Sequence, residues 1–229
     1  MSEVNLVSIT KPLITVDDKE LTPEEYITYV ARVSNPNNQT NLNTSEKLIS
    51  YCIKKRHWSI FEQVDMTVEI VTSRAIAAQI LRHRTAVFQE YSQRYAKVQS
   101  IEPIEFRLQD TKNRQNSLNT VAILSQEQID AEDIELHNIL QETKLLLSQL
   151  NDNYNKLVDY GIAKECARMI LPLATTTKLY MKNNLRNWIH YIEVRALGEG
   201  VQKEHRVIAL AIQDIFKQQF PVISKALGW

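Results

Sequence analysis

Two rhythms of apolar positions divide the chain. Residues 4–9, V-N-L-V-S-I, alternate and predict a first strand, and Val64, Met66, Val68 and Ile70 alternate as a second. Residues 104–107 predict a short strand, and 175–182 a further one, with a β-branched opening and Leu179 and Met181 in alternation. Elsewhere the spacing is helical. Thr22-Pro23-Glu24-Glu25 reads as a capping box with proline at the first helical position, opening a helix to about Ser34 that Asn35-Pro36-Asn37-Asn38 breaks. Leu48 with Cys52 and Ile49 with Ile53 predict a helix over 44–55, and Ile76, Ala77, Ile80 and Leu81 predict one over 73–81. Residues 110–120 are polar and predict a mobile excursion.

From 125 to 160 the pattern predicts one long helix or a broken pair. Leu136, Leu140, Thr143, Leu147, Leu150, Tyr154 and Leu157 step by four and three, which suits a coiled coil, a helix packed across its own domain, or a subunit contact. Gly161 is a good residue to end it. A helix over 184–197 carries three stripes at about 100° per residue. Leu185, Ile189, Ile192 and Ala196 are plainly core. Asn184, Trp188, Tyr191 and Arg195 form a second stripe, and Arg186, His190, Glu193 and Leu197 a third; each places an arginine beside other polar groups, so that one helix touches two ligands or two subunits. Spacing alone fits a local His190–Glu193 pair equally well. The last helix opens near 201–206, buries Ile208, Ile212, Ile215 and Phe216, and stops at Pro221. The expected fold is α+β: one domain over 1–229, with a mostly antiparallel sheet and several long helices.

Composition narrows the chemistry. Lys+Arg and Asp+Glu both total 27, a net charge of zero, which argues against a general nucleic-acid binder and makes any basic site local. Only Gly161, Gly198, Gly200 and Gly228 occur, and none forms a Rossmann or P-loop fingerprint, so a bound nucleotide must be held by side-chain cations and helix N-termini. The five histidines form no H-x-x-x-H or H-E-x-x-H pair, so no metal is expected. Cys52 and Cys166 stand apart in helix-like stretches and read as buried free thiols in a reducing compartment. No leader or long apolar run is visible, so the expectation is a soluble, cytoplasmic protein without a membrane partner.

The densest chemistry lies at 82–95, R-H-R-T-A-V-F-Q-E-Y-S-Q-R-Y, delivered by the helix before it. A solvated helix end is one reading. Yet Val87, Phe88, Tyr91 and Tyr95 alternate with Arg84, Glu90, Ser92 and Arg94, a pattern suited to a half-buried anion pocket in which guanidinium forks grip phosphate oxygens. Glu90 can orient an arginine and accept a hydrogen bond from a ligand.

Arg82-His83-Arg84, seven residues, Ser92, then Arg94-Tyr95 resembles the signature of the flavin-dependent thymidylate synthases. His57-Trp58-Ser59-Ile60-Phe61-Glu62-Gln63 is similar to that family's H-x-[ST]-x-F-E-H stretch, with Gln63 in place of histidine. Ala167-Arg168-Met169-Ile170-Leu171-Pro172 resembles its A-R-x-x-L-P stretch, and Asn184, Arg186 and Arg195 its N-x-R…R pattern. From spacing alone Arg168 reads as a surface arginine paired with Glu165. Departures occur at Val87, Gln89 and Gln93, where the family commonly has Ser, Asn and Gly, and at 198–206, where one residue is extra and a tryptophan is missing.

The resemblance implies a homotetramer whose active sites are built between subunits. It implies reductive methylation of dUMP to dTMP, with carbon from methylenetetrahydrofolate and hydride from FAD reduced by NADPH. Ser59, Arg82, His83, Arg84, Glu90, Asn184, Leu185 (through backbone only), Arg186 and His190 would hold FAD. Gln79, Arg82, Glu90, Ser92, Gln93, Arg94 and Arg168 would hold dUMP, and Arg195 would be catalytic, favouring ionisation of the pyrimidine at N3. Neither cysteine has an adjacent base, so neither reads as a nucleophile. The rival readings are a non-catalytic regulator binding a nucleotide or single-stranded RNA, against which zero net charge speaks, and a flavoenzyme with another substrate.

Overall fold

The computed structural model describes residues 2–98, 100–120 and 131–229; the predicted helical stretch at 125–130 lies outside them. The fold is α+β. A four-stranded sheet has the order β1 (Glu3–Ile9), β4 (Asp65–Ser73), β8 (Thr176–Asn184), β5 (Val87–Glu90). Two antiparallel pairs accompany it, β2 (Thr15–Val16) with β3 (Lys19–Glu20) and β6 (Arg107–Gln109) with β7 (Ser117–Thr120). The helices are α1 (Pro23–Ala31), α2 (Ser45–Lys54), α3 (Arg74–Ile80), α4 (Ala131–Asp159), α5 (Lys164–Ala167), α6 (Leu185–Ile192), α7 (Lys203–Gln219) and α8 (Pro221–Leu227). Among the described residues no helix is long and apolar enough to cross a membrane.

Contact density divides the chain into two units, one of Val71–Gln79 and Glu90–Lys178, the other of Ser2–Ile70, Ile80–Gln89 and Leu179–Trp229. In the first, Val98, Tyr154 and Ala167 form a buried cluster with Leu157, Val158, Ile170 and Leu171 packed against it. The Tyr154 hydroxyl accepts the Val98 N–H at 3.0 Å, so the ring is buried without stranding its polar end. The predicted stripe of α4 is its less exposed side, with Leu140 and Tyr154 buried, and Ile139, Leu145 and Leu146 stand out on the others. The helix ends before Gly161, whose φ of +100° suits glycine.

Residues 110–120 form the turn and second strand of a hairpin, where the polar pattern predicts no strand. The reason is Asp110. Its carboxylate accepts from the Lys112 N–H at 2.8 Å and from Asn116 Nδ2 at 3.0 Å, bonds that hold its pKa below the usual range, and the turn so fixed feeds β7. The strand expected at 104–107 starts later, at Arg107; before it, Ile101 makes only an isolated bridge to Thr175.

In the second unit the capping box is complete: Thr22 Oγ1 accepts the Glu25 N–H at 3.2 Å, and Glu25 accepts the Thr22 N–H at 2.8 Å. Helix α1 ends at Ala31, three residues short of the expected boundary at Ser34. Its buried Glu24 accepts the Ile223 N–H at 2.8 Å, placing a carboxylate at the start of α8. Pro221 ends α7 as expected, and also opens α8. Two strands run straight into helices with no residue between, Ser73 into Arg74 and Asn184 into Leu185.

Candidate active site

In the second unit, α6 sets the geometry. Asn184 caps it, its Oδ1 accepting the Asn187 N–H at 3.0 Å, and the Leu185 N–H donates to the Val64 carbonyl at 2.9 Å. The core stripe Leu185, Ile189, Ile192 and Ala196 is buried as predicted, and Arg186, His190, Glu193 and Leu197 are exposed. The Asn184–Arg195 stripe, set apart from the core stripe by its spacing, also enters the core, because Trp188 and Tyr191 are 0% and 1% exposed. They tolerate burial because each polar atom finds a partner: Trp188 Nε1 donates to the Met66 carbonyl at 2.9 Å, and the Tyr191 hydroxyl bonds His205 Nε2 at 3.1 Å. After Ile192 the helix widens into a π turn, Glu193–Leu197, so even steps of about 100° no longer give the direction of Arg195.

Arg195 Nε donates to His83 Nε2 at 2.9 Å. Burial pushes the His83 pKa down to about 4, helped by the Arg195 charge and by His190. Burial likewise takes His205 down to about 3, and raises the Tyr191 phenol. His83 sits in a tight turn, its N–H on the Ile80 carbonyl and its own carbonyl taking the Ala86 N–H, both at 3.0 Å. The flanking Arg82 and Arg84 are exposed, and no carboxylate pairs with either among the described residues. Ser59 is exposed on a helical turn, Trp58–Gln63, whose Glu62 pairs with Arg186. Gly198 closes the π turn, and a Cβ there would lie 2.3 Å from the Val194 carbonyl oxygen, so only glycine fits.

In the first unit, Glu90 Oε1 takes the Arg74 guanidinium and the Thr177 hydroxyl, the latter at 2.9 Å. Gln93 is buried, and its Nε2 has no partner. Ser92 is exposed in a turn where its carbonyl accepts from Tyr95 and Ala96. Arg94 pairs with Glu165 at 2.9 Å, so Glu165 is not the partner of the half-buried Arg168. Gln79 is half-buried at the end of α3.

Thus Ser59, Arg82, His83, Arg84, Asn184, Leu185, Arg186, His190 and Arg195 fall in the second unit, and Gln79, Glu90, Ser92, Gln93, Arg94 and Arg168 in the first. The donor set suits a flavin nucleotide: two unpaired guanidiniums on one turn match the charge of a pyrophosphate. An orphaned buried amide donor at Gln93 suits a ligand carrying carbonyl or phosphate oxygens. Among the described residues no three His, Cys, Asp or Glu side chains group as a metal site.

Sequence reasoning missed Arg74 and Thr177 around Glu90, and Tyr191 and His205 beneath His83. One signal was readable. His205 shares a face with Ile208, Ala209, Ile212 and Phe216, all buried, and an imidazole in such a stripe needs a polar partner. The cysteine reading is corrected in one half: Cys52 is buried, which raises its thiol pKa, but Cys166 is exposed because it lies on the outer side of the four-residue α5.

The family model described as thymidylate synthase complementing protein matches residues 15–222. A protein named "Probable flavin-dependent thymidylate synthase" from Paramecium bursaria Chlorella virus 1 is 50% identical over 225 residues, 98% of each chain. The flavin-dependent thymidylate synthase of Synechocystis sp. is 49% identical over 99% of this chain and all of its own length. Among solved structures, the UMP/dUMP methylase PolB of Streptomyces cacaoi, bound with 5-Br UMP, superposes with a TM-score of 0.76 at 23% identity, covering 100% of this chain and 94% of its own, and so shares the fold. With relatives at half identity from end to end and the family model spanning both units, this chain belongs to the flavin-dependent thymidylate synthase family.

Proposed function

We propose that residues 1–229 work as one flavin-dependent thymidylate synthase domain in the cytoplasm, converting dUMP to dTMP with methylenetetrahydrofolate as carbon donor. Bound FAD, reduced by NADPH, supplies the hydride that takes the transferred carbon to a methyl group. Arg82 and Arg84 hold the pyrophosphate of FAD, with Ser59, Arg186 and His190 as further contacts. Arg186 reaches it by exchanging its exposed Glu62 partner. Glu90, steadied by Arg74 and Thr177, and the orphaned amide of Gln93 orient dUMP, with Gln79, Ser92, Arg94 and Arg168 as its other contacts.

The observation that carries this reading is the bond from Arg195 to His83. One edge of the guanidinium is spent on a neutral imidazole, which fixes its direction without neutralising its charge. The remaining donors then face an anion with full charge, which is what a pyrimidine ionising at N3 requires. The test is dTMP formation from dUMP with FAD, NADPH and methylenetetrahydrofolate. The purified protein should be yellow and turn over. A colourless protein that forms no dTMP would overturn the reading.

The assembly belongs to the same proposal: a homotetramer with active sites shared between chains. Ile139, Leu145 and Leu146 on α4, 51%, 59% and 58% exposed, are apolar surface that a second subunit would cover. Retention of FAD should then depend on assembly, so dilution should release flavin and subunits together. Sedimentation showing a monomer that keeps FAD and turns over would count against a shared site.

A further inference from the structure

Beneath His83 lies a polar pair that the proposed reaction does not use. Tyr191 and His205 are 1% and 0% exposed and share a hydrogen bond of 3.1 Å. The Tyr191 ring meets His83 edge-on, centroids 4.8 Å apart at 71°, and the His205 ring stands 6.3 Å from His83 at 88°. Trp188 braces Tyr191 at 5.7 Å and 89°, itself tied to the Met66 carbonyl.

The chemistry of the Arg195–His83 bond makes that packing consequential. Arginine has only donors, so His83 Nε2 must offer a lone pair, and the ring must be neutral with its proton on Nδ1. A flipped imidazole would set Cε1–H, and a protonated ring or the other tautomer Nε2–H, against the Arg195 N–H, and either would release the guanidinium. Rings that lock the imidazole therefore lock Arg195 as well. We infer that the Tyr191–His205 pair is a positioning element, holding His83 as a hydrogen-bond acceptor and through it aiming the Arg195 guanidinium. This rests on the reading of Arg195 as the group that serves the pyrimidine. Burial supports it, since the depressed pKa values of His83 and His205 and the raised one of Tyr191 keep all three rings uncharged near neutrality. Neither Tyr191 nor His205 needs to touch substrate.

A merely structural pair would satisfy two buried polar groups and nothing more. Tyr191→Phe separates the roles, because it keeps the ring and removes the hydroxyl. The expected result is a single-turnover rate lower by about tenfold, with FAD absorbance per chain and dUMP affinity by flavin titration as in the parent. His205→Leu should match it, and His205→Gln, which restores a partner for the hydroxyl, should recover most of the rate. In an Arg195→Lys background Tyr191→Phe should cost nothing further, since the group being aimed is already gone. Independently of turnover, imidazole nitrogen NMR should show His83 as the neutral Nδ1–H form in the parent and as a mixture in Tyr191→Phe. Parent-like rate, losses that add to that of Arg195→Lys, or an unchanged His83 tautomer would each overturn the inference. If the parent makes no dTMP, the reaction assignment fails instead, and the NMR comparison still decides the positioning role.

Discussion

Arg195→Lys should retain FAD and lose about a hundredfold of the single-turnover rate, a loss of roughly 3 kcal/mol in transition-state stabilisation. Lysine keeps the charge but presents one ammonium, which cannot both bond His83 as Arg195 Nε does at 2.9 Å and offer a planar fork to a second group. The charge would then go where the side chain's flexible stem allows. Arg168→Ala should behave differently, weakening dUMP affinity and sparing the rate at saturation. Rapid-quench turnover beside flavin spectra separates the two patterns. Normal turnover of Arg195→Lys with only dUMP affinity reduced would make Arg195 a binding residue.

Acid should destabilise this protein through the half-buried His83 and the buried His205. His83 and His205 fall from the ordinary 6.5 to about 4 and about 3, chiefly through burial and then through the Arg195 charge. The unfolded chain takes up both protons near pH 6.5, whereas the folded chain resists until about pH 4 and then pH 3. Stability from this source is complete above pH 6.5, declines as the pH falls through that window, and levels off below it. At about 1.4 kcal/mol per pKa unit the pair would cost at most about 8 kcal/mol, and solvent screening at the half-exposed His83 lowers this to the order of 5 kcal/mol, a large share of a typical folding free energy. Glu24 works the other way, because burial raises its carboxyl and protonation relieves it, so it partly offsets the loss. Urea midpoints between pH 7.5 and 4 should drop steeply in the parent and flatten in a His83→Gln, His205→Gln double variant. An equally steep profile in that variant would place the acid sensitivity elsewhere.

What the sequence made legible was local. The capping box at Thr22, the alternation of β4 and the seven-point stripe of α4 follow from nearest-neighbour rules, and the structure has them all. The pairing of Arg74 with Glu90, sixteen residues on, and the edge-on contact of His83 with Tyr191 depend on how the chain returns on itself, which periodicity does not encode. The burial of the Trp188–Tyr191 side was hidden for the same reason: two aromatics with polar tips are ambiguous until their partners are known. The π turn has no periodic signature, yet it sets the aim of Arg195. The arginines and histidine of 82–84 were found because their residue types and spacing are themselves the signal.

The direct passage of β4 into α3 and of β8 into α6 leaves no slack at either junction. A strand reverses its faces with each added residue and a helix turns by about 100°, so one inserted residue before Leu185 would carry Trp188, Tyr191 and Arg195 out of phase together. No loop stands between to absorb it. Change of length is therefore better borne away from these junctions, in places such as the Asp110–Asn116 turn, and the first turns of α6 can vary by substitution more readily than by growth.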